Sequence, residues 1–287
     1  KFLNGTEENL KDVIEKIPGL NINNEGKITA NGKTIDNLLI DGEDLYKNQH
    51  QLATENLPSK IINSVELIQN YLGFENLNIG QKTGKTALNI KIKEDFKNRL
   101  TGFIEAEKGI ANQYNVKNSI FNFNKKIKLS TITNFNNIAE NPISINDYFE
   151  LTEEKSEGSE SSVTFSNLND VPSFLTSKDR VSSKKISFNS ISLIYNFSKK
   201  SKLDFYSILN SSNQSLDINR VQKFYSENDD LLIIEDKKNN EKNVFGVLNA
   251  KFIYKKNETT IHTIKSNFSF DLSNNLNNIV NQNNTNS

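Results

Sequence analysis

The segment of this sequence with the most chemical promise is Gly80-Gln81-Lys82-Thr83-Gly84-Lys85-Thr86, which has the residue types of a phosphate-binding loop. Such a loop needs four residues between its glycines, so that successive backbone amides can wrap a phosphate, and it must lead from a strand into a helix. Here the spacing is one residue short, and Ala87 to Lys93 alternates Leu88, Ile90 and Ile92 with Asn89, Lys91 and Lys93, as a strand does. Nucleotide binding is therefore not expected. The acidic group Asp41, Glu43 and Asp44 has the residue types of a metal site, but a calcium loop needs further oxygen ligands at set spacings that are missing, and Asp41-Gly42 is ordinary turn chemistry. His50 lies in a polar stretch and His262 in a strand candidate, neither with a partner in local sequence, so both are expected at the surface or facing a lumen. No Gly-x-Ser-x-Gly elbow and no Ser/His/Asp arrangement can be assembled. The expectation is a non-enzyme without catalytic site, metal or cofactor.

Composition narrows the remaining classes. The 35 basic and 35 acidic side chains cancel, which removes a bulk electrostatic case for nucleic-acid binding. No stretch approaches the roughly 18 consecutive apolar residues of a transmembrane helix. If a membrane is involved, strands must cross it, because only helices and closed barrels satisfy their backbone in lipid. Zero cysteine excludes a disulfide framework and thiol chemistry. The first residue is Lys1, no basic start precedes an apolar segment, and Asn274 to Ser287 is a polar, Asn-rich tail, so the chain reads as a piece of a longer processed protein.

The elements fall into two modules that change character near residue 95. In the first, residues 1–95, Thr6 is placed to cap a helix whose Leu10, Val13, Ile14 and Ile17 form one apolar stripe, stopped by Pro18-Gly19. Strands are expected at Leu20 to Asn23 and Lys27 to Asn31 around the Asn24-Glu25-Gly26 turn. Asn31-Gly32 then makes a second tight turn before Leu38-Leu39-Ile40. A helical patch over Gln49 to Asn56, a short helix opened by Pro58, and strands at Ser64 to Gln69 and Ala87 to Lys93 complete a small α+β domain.

The second module, residues 96–287, carries seven strand candidates near 99–108, 114–123, 126–136, 185–197, 202–211, 243–254 and 259–271. Short Lys-rich links at 124–125, 198–201 and 255–258 alternate with long polar ones at 137–184 and 212–242; the brief link at 109–113 departs from the alternation. Glu150 to Ser162 reads as a low-complexity loop. Membrane β-barrels have short turns on the periplasmic side and longer loops outside. Val244, Gly246, Leu248, Ala250, Phe252 and Tyr254 share one lipid-compatible face, opposite Phe245, Val247, Asn249, Lys251 and Ile253. Ile191, Leu193, Tyr195 and Phe197 oppose Ser190, Ser192 and Asn196, and Leu203, Phe205 and Leu209 oppose Asp204, Tyr206 and Asn210. A soluble β-sandwich binding module alternates in the same way, and pattern alone leaves both open.

The run from Glu8 to Lys93 resembles the plug domain of TonB-dependent outer-membrane receptors, in particular the receptor-like barrel proteins of Bacteroidetes. The blocks ENLKDVIEKIPGLNIN, GKITANGKTIDNLLIDGEDL, LATENLPSKIINSVELIQNY and TALNIKIKE follow in the family's order, and TGFIEAEKG looks like its first barrel strand. The resemblance implies an outer-membrane location in a Gram-negative bacterium, and an α+β plug followed by about seven strands of an incomplete transmembrane barrel. It also implies energised uptake of a nutrient ligand bound between plug apices and outer loops. Membrane lipid, a TonB-type complex acting through a missing N-terminal segment, and a surface lipoprotein are the implied partners. Lumen-facing Asp204, Asn210, Asn249 and Lys251 would then hydrate the interior, with no ligand contact assigned. No TonB-box segment is visible before Lys1, and seven strands cannot close a plugged barrel of about 22. An outer-membrane protein acting in surface assembly or adhesion is therefore a second expectation.

Overall fold

The computed structural model describes residues 5–23, 26–47, 49–74, 84–145, 147–148, 175, 182–224, 231–257 and 259–285. The N-terminal stripe folds as expected into a short helix, α1 (Leu10–Glu15), with Leu10, Val13 and Ile14 buried. Its cap is Asn9 rather than Thr6. The Asp12 N–H donates to Asn9 Oδ1 at 3.2 Å and the Asn9 N–H donates to Asp12 Oδ2 at 3.3 Å, a reciprocal capping box. Thr6 lies too far upstream of Leu10 to reach the first turn, and its hydroxyl accepts from Lys16 Nζ at 3.1 Å.

β1 (Leu20–Ile22), β2 (Ile28–Ala30) and β3 (Lys33–Thr34) form one antiparallel sheet. The β2–β3 turn works because Asn31 and Gly32 both take positive φ, 49° and 81°, the conformation that an Asn-Gly pair tolerates best. The Asn24-Glu25 part of the preceding turn lies outside the described residues. β4 (Asn37–Ile40) runs parallel to β6 (Thr86–Ile92), which also pairs antiparallel with β5 (Ile62–Gln69). Between β4 and β5, α2 (His50–Asn56) and a single 3-10 turn after Pro58 lay Leu52, Ala53, Leu57 and Ile61 against α1 and the β4–β6 face.

The rest is a meander of seven antiparallel strands in sequence order: β7 (Leu100–Lys108), β8 (Tyr114–Phe123), β9 (Ile127–Asn136), β10 (Ser183–Ser198), β11 (Ser201–Phe224), β12 (Leu231–Lys255) and β13 (Ile261–Thr285). Two expectations are corrected here. Residues 212–242, expected as a long polar link, are mostly strand, because β11 and β12 stay paired from Ser201↔Tyr254 out to Phe224↔Leu231. The Asn-rich tail is likewise strand to Thr285, paired along β12. Polar side chains do not prevent this, since each strand's backbone bonds are completed by its neighbour. The sheet is open: β7 and β13 are its edges, and the described residues form no closed barrel.

The two faces of the sheet differ. On the inner face the α+β unit packs against Phe121, Phe123 and Ile132, within a hydrophobic core that runs on through Phe188 and Phe245. On the outer face, register aligns side chains into rows. One row holds Ile127, Tyr195, Leu203, Phe252 and Ile264; another holds Ile191, Leu248 and Phe268; a third holds Phe135, Val244 and Leu272. The next row is Lys185, Asn213, Lys242 and Asn274, where the apolar face stops.

Candidate functional site

A cluster of polar contacts joins the loop after β4 to the inner face of the sheet. β4 ends in Asp41-Gly42, both at positive φ (48° and 83°), closed by the Ile40↔Glu43 bridge. Central strand β6 holds this turn in place. The Gly42 N–H donates to Asn89 Oδ1 at 2.8 Å, the Ile92 N–H donates to Asp41 Oδ1 at 3.1 Å, and Asn89 Nδ2 donates to Glu66 at 2.9 Å. The turn reading of Asp41-Gly42 thus holds, and the same geometry aims the acids that follow it at the sheet.

Two inward residues of β11, two positions apart, meet that loop with alternating charge. Lys202 Nζ donates to Glu43 Oε2 at 2.9 Å, and Lys47 Nζ donates to Asp204 Oδ2 at 2.5 Å. Lys47 also donates to the Asp44 carbonyl at 2.6 Å, and Lys128 of β9 reaches the Asp41 carbonyl at 3.4 Å. Lys97 Nζ stands 3.6 Å from Asp41 Oδ2, and the Tyr46 hydroxyl lies 3.1 Å from Ser130 Oγ. Burial pulls the Lys47 ammonium down, but the Asp44, Asp204 and Glu43 carboxylates outweigh it and hold Lys47 above the usual lysine range. Burial raises the Tyr46 phenol well beyond the ordinary tyrosine range. Burial, with help from Asp44 and Glu43, pushes Tyr71 up to about 12. These shifts keep Lys47 cationic and both tyrosines neutral near neutral pH, which suits a structural latch.

Beside the latch lies an open cavity of about 1040 Å³ between the loop and the turn end of β11 to β13, lined by Tyr71, Phe74, Tyr206, Asn249, Lys251 and Lys265 among others. Lys202 Nζ also sits 4.7 Å above the Phe74 ring, so the cation that binds Glu43 forms one wall of the cavity. Asp204, Asn210, Asn249 and Lys251 all fall on the inner face, as alternation required. Asp41, Glu43 and Asp44 come together with lysines, not with one another as a metal site, and among the described residues no group of three His, Asp or Glu has metal-binding geometry.

The two histidines separate. His50 is buried, 2% exposed, with Nδ1 accepting from the Ile28 N–H at 3.0 Å, which corrects the expectation of a surface or lumen position. It starts α2 at the point where β2 needs an acceptor, a pairing across 22 residues that local sequence does not signal. His262 is exposed and stacks on Tyr254, 6.2 Å between ring centroids. Gly80 to Thr83 and Glu150 to Ser162 lie outside the described residues; Lys85 lines the cavity and Thr86 opens strand β6.

No protein-family model and no curated protein matches the chain. Solved structures similar to it include the copper transporter OprC, with 10% identity and TM-score 0.29, covering 96% of this chain and 45% of that one. The FrpB iron transporter from Neisseria meningitidis has 12% identity and TM-score 0.26, with coverage of 93% and 45%. The siderophore receptor PirA from Pseudomonas aeruginosa has 11% identity and TM-score 0.29, with coverage of 98% and 57%. The chain spans about half the length of these proteins.

Proposed function

We propose that the chain is the plug, residues 1–95, and the first barrel strands, residues 96–287, of a TonB-dependent receptor-like transporter that takes up a nutrient ligand across a Gram-negative outer membrane. The observation that carries the reading is the difference between the two faces of the seven-stranded sheet, with a folded α+β unit latched to the inner one, where apolar and polar side chains mix. From Val244 to Tyr254 the outward positions of β12 hold no charge. Those ten residue steps, at about 3.4 Å each and a tilt of about 40°, give an apolar band roughly 26 Å tall, matching the ~25 Å band of outer-membrane barrels.

Both borders of the band have the expected chemistry. At the short-turn end, Tyr195, Phe197 and Phe252 make edge contacts at 4.7 and 6.0 Å, and Lys126 covers the Tyr195 ring at 5.3 Å. Aromatic rings and turn lysines suit the membrane–water interface. At the other end the Lys185–Asn213–Lys242–Asn274 row begins a polar extension of β11 to β13. The reading places the short turns in the periplasm, lipid on the outward face, and the long connections outside, where a surface lipoprotein could meet them. A TonB-type complex would act through a segment N-terminal to the plug, working against the latch at Glu43, Lys47, Lys202 and Asp204.

Phase partitioning of the whole protein tests this. It should enter the detergent phase and fractionate with outer membranes, and recovery in the aqueous phase would instead favour a soluble sandwich.

A further inference from the structure

The three short turns of the sheet repeat one chemistry. Asn124-Lys125-Lys126 joins β8 to β9, Ser198-Lys199-Lys200-Ser201 joins β10 to β11, and Lys255-Lys256-Asn257-Glu258 leads from β12 toward β13. Each sequence holds a lysine pair, and Glu258 is the one acid among them. Backbone bonds set the turns side by side. The Asn196 N–H donates to the Lys126 carbonyl at 2.8 Å, Asn196 Nδ2 donates to the Lys125 carbonyl at 3.2 Å, and the Lys255 N–H donates to the Lys200 carbonyl at 2.7 Å. Successive doublets are thus two strands apart, about 10 Å along the end of the sheet.

Lys125, Lys126, Lys199, Lys200 and Lys256 are exposed and Lys255 is half-buried. Among the described residues none of these six ammonium groups pairs with a carboxylate. Glu94, close enough to interact with Lys125, is bonded by Lys97 at 2.7 Å. The other end of the same strands has no such bias, since β12 there sets Glu235, Asp236 and Glu241 against Lys237, Lys238 and Lys242. Like charges in a row repel one another, a cost that an anionic surface alongside removes. The sheet fixes what lies beside the row. The lysines begin where the outward row of Tyr195, Leu203 and Phe252 ends, with Phe197 and Tyr254 exposed at the same border. Lys126 Nζ lies over the outward Tyr195 ring at 5.3 Å. A charge row with one doublet per hairpin follows the perimeter of the sheet and meets the same neighbour at every step; next to an apolar band in a bilayer, that neighbour is the headgroup layer.

We propose that the three lysine doublets form a docking row for the headgroups of anionic phospholipids in the periplasmic leaflet, which holds the short-turn end of the sheet at a fixed depth. This inference rests on the transporter reading, which puts the short turns in the periplasm and lipid on the outward face. The lysine stems lie along the aromatic border while their ammonium groups reach the phosphates. A lysine close to an anionic surface contributes about fivefold in affinity.

The test is native mass spectrometry of the whole protein released from detergent micelles that hold phosphatidylglycerol and phosphatidylcholine in equal amounts. Both lipids carry a phosphate, but only phosphatidylglycerol has a net charge. The unaltered protein should retain phosphatidylglycerol about tenfold over phosphatidylcholine. Lys126→Gln, Lys200→Gln and Lys256→Gln combined, one lysine from each turn, should bring the ratio close to one. Lys185→Gln, Lys238→Gln and Lys242→Gln combined, three outward lysines at the far end, should leave it unchanged. Arginine at the same three turn positions should restore the preference, because the charge is kept. Excess glycerol phosphate should not displace the lipid; displacement would mark a site for free phosphates and overturn the lipid assignment. An equal fall in both triple variants would mean a general charge effect, and no preference in the unaltered protein would mean merely solvated turns. Either result overturns the docking row and leaves the transporter reading standing. If the protein retains neither lipid and stays in solution without detergent, the transporter reading fails and the docking row fails with it.

Discussion

Lys47 is the residue on which the contact between the α+β unit and the seven-stranded sheet turns. Its ammonium serves Asp204 across 157 positions of sequence, and its pKa is held up by three carboxylates against the pull of burial. Lys47→Met would take from Asp204, 9% exposed, the ammonium it accepts from, with the Asp44 carboxylate still nearby. The expected loss is about 2–3 kcal/mol, below the full value for a buried pair because Lys47 keeps some exposure. A thermal midpoint in detergent should fall accordingly, and Lys47→Met with Asp204→Leu should recover most of the loss; a double variant no better than the single one would show that the pair is not coupled. Because the folded pKa of Lys47 is raised, its contribution is present at neutral pH and fades only as pH climbs through that raised value. Glu55 shows the opposite linkage. Burial raises its carboxyl pKa, so ionising it in the fold costs stability as pH rises above the ordinary glutamate range near ~4.3. Glu55→Gln should raise the midpoint at pH 7, and the gain should vanish in acid below that range.

Among the elements, the β-strands that cross the apolar band depend on two glycines in different ways. A Cβ at Gly102 of β7 would lie 2.4 Å from the Ser119 carbonyl oxygen of β8, a backbone atom that cannot move without breaking the ladder. At Gly246 of β12 the obstruction is the Phe270 ring, 2.3 Å away, a side chain that can rotate aside. Gly102→Ala should therefore cost more than Gly246→Ala, by about 1 kcal/mol or more, and Phe270→Ala should cancel only the second effect. Equal costs in thermal unfolding would contradict this register. The strand positions were largely legible in the sequence, because period-two alternation survives in β10, β11 and β12 with Ser, Asn or Asp inward. The outer halves of β11 to β13 were not, since beyond the Lys242 row the composition is polar and only pairing with a neighbour makes it strand. The cap of α1 was misplaced for a related reason. Thr6 and Asn9 are both good caps, and the choice was settled by where Leu57 and Pro58 receive the chain, through the Leu10 N–H bond to the Leu57 carbonyl at 2.8 Å and the Asn9↔Pro58 bridge.

At the scale of the whole molecule, the prediction concerns solvent. Leu248 points outward in the middle of the apolar band, and Ser215 points outward beyond it. Leu248→Arg should destabilise the protein in bilayers by about 2–4 kcal/mol and reduce its yield in outer membranes, whereas Ser215→Arg should be nearly silent. Similar, small effects from both would favour water on that face. Composition and periodicity by themselves determined that any membrane crossing must be by strands and that one face of the later strands is apolar; these follow from local facts, the period of side chains and the absence of long apolar runs. Only the tertiary structure decided which polar groups meet. Glu43 and Lys202, Lys47 and Asp204, and Tyr148 and Asp271 are separated by 159, 157 and 123 residues, so no local pattern pairs them. The physical reason is that electrostatic partners and buried polar atoms are fixed by distance in space, while the sequence records only distance along the chain.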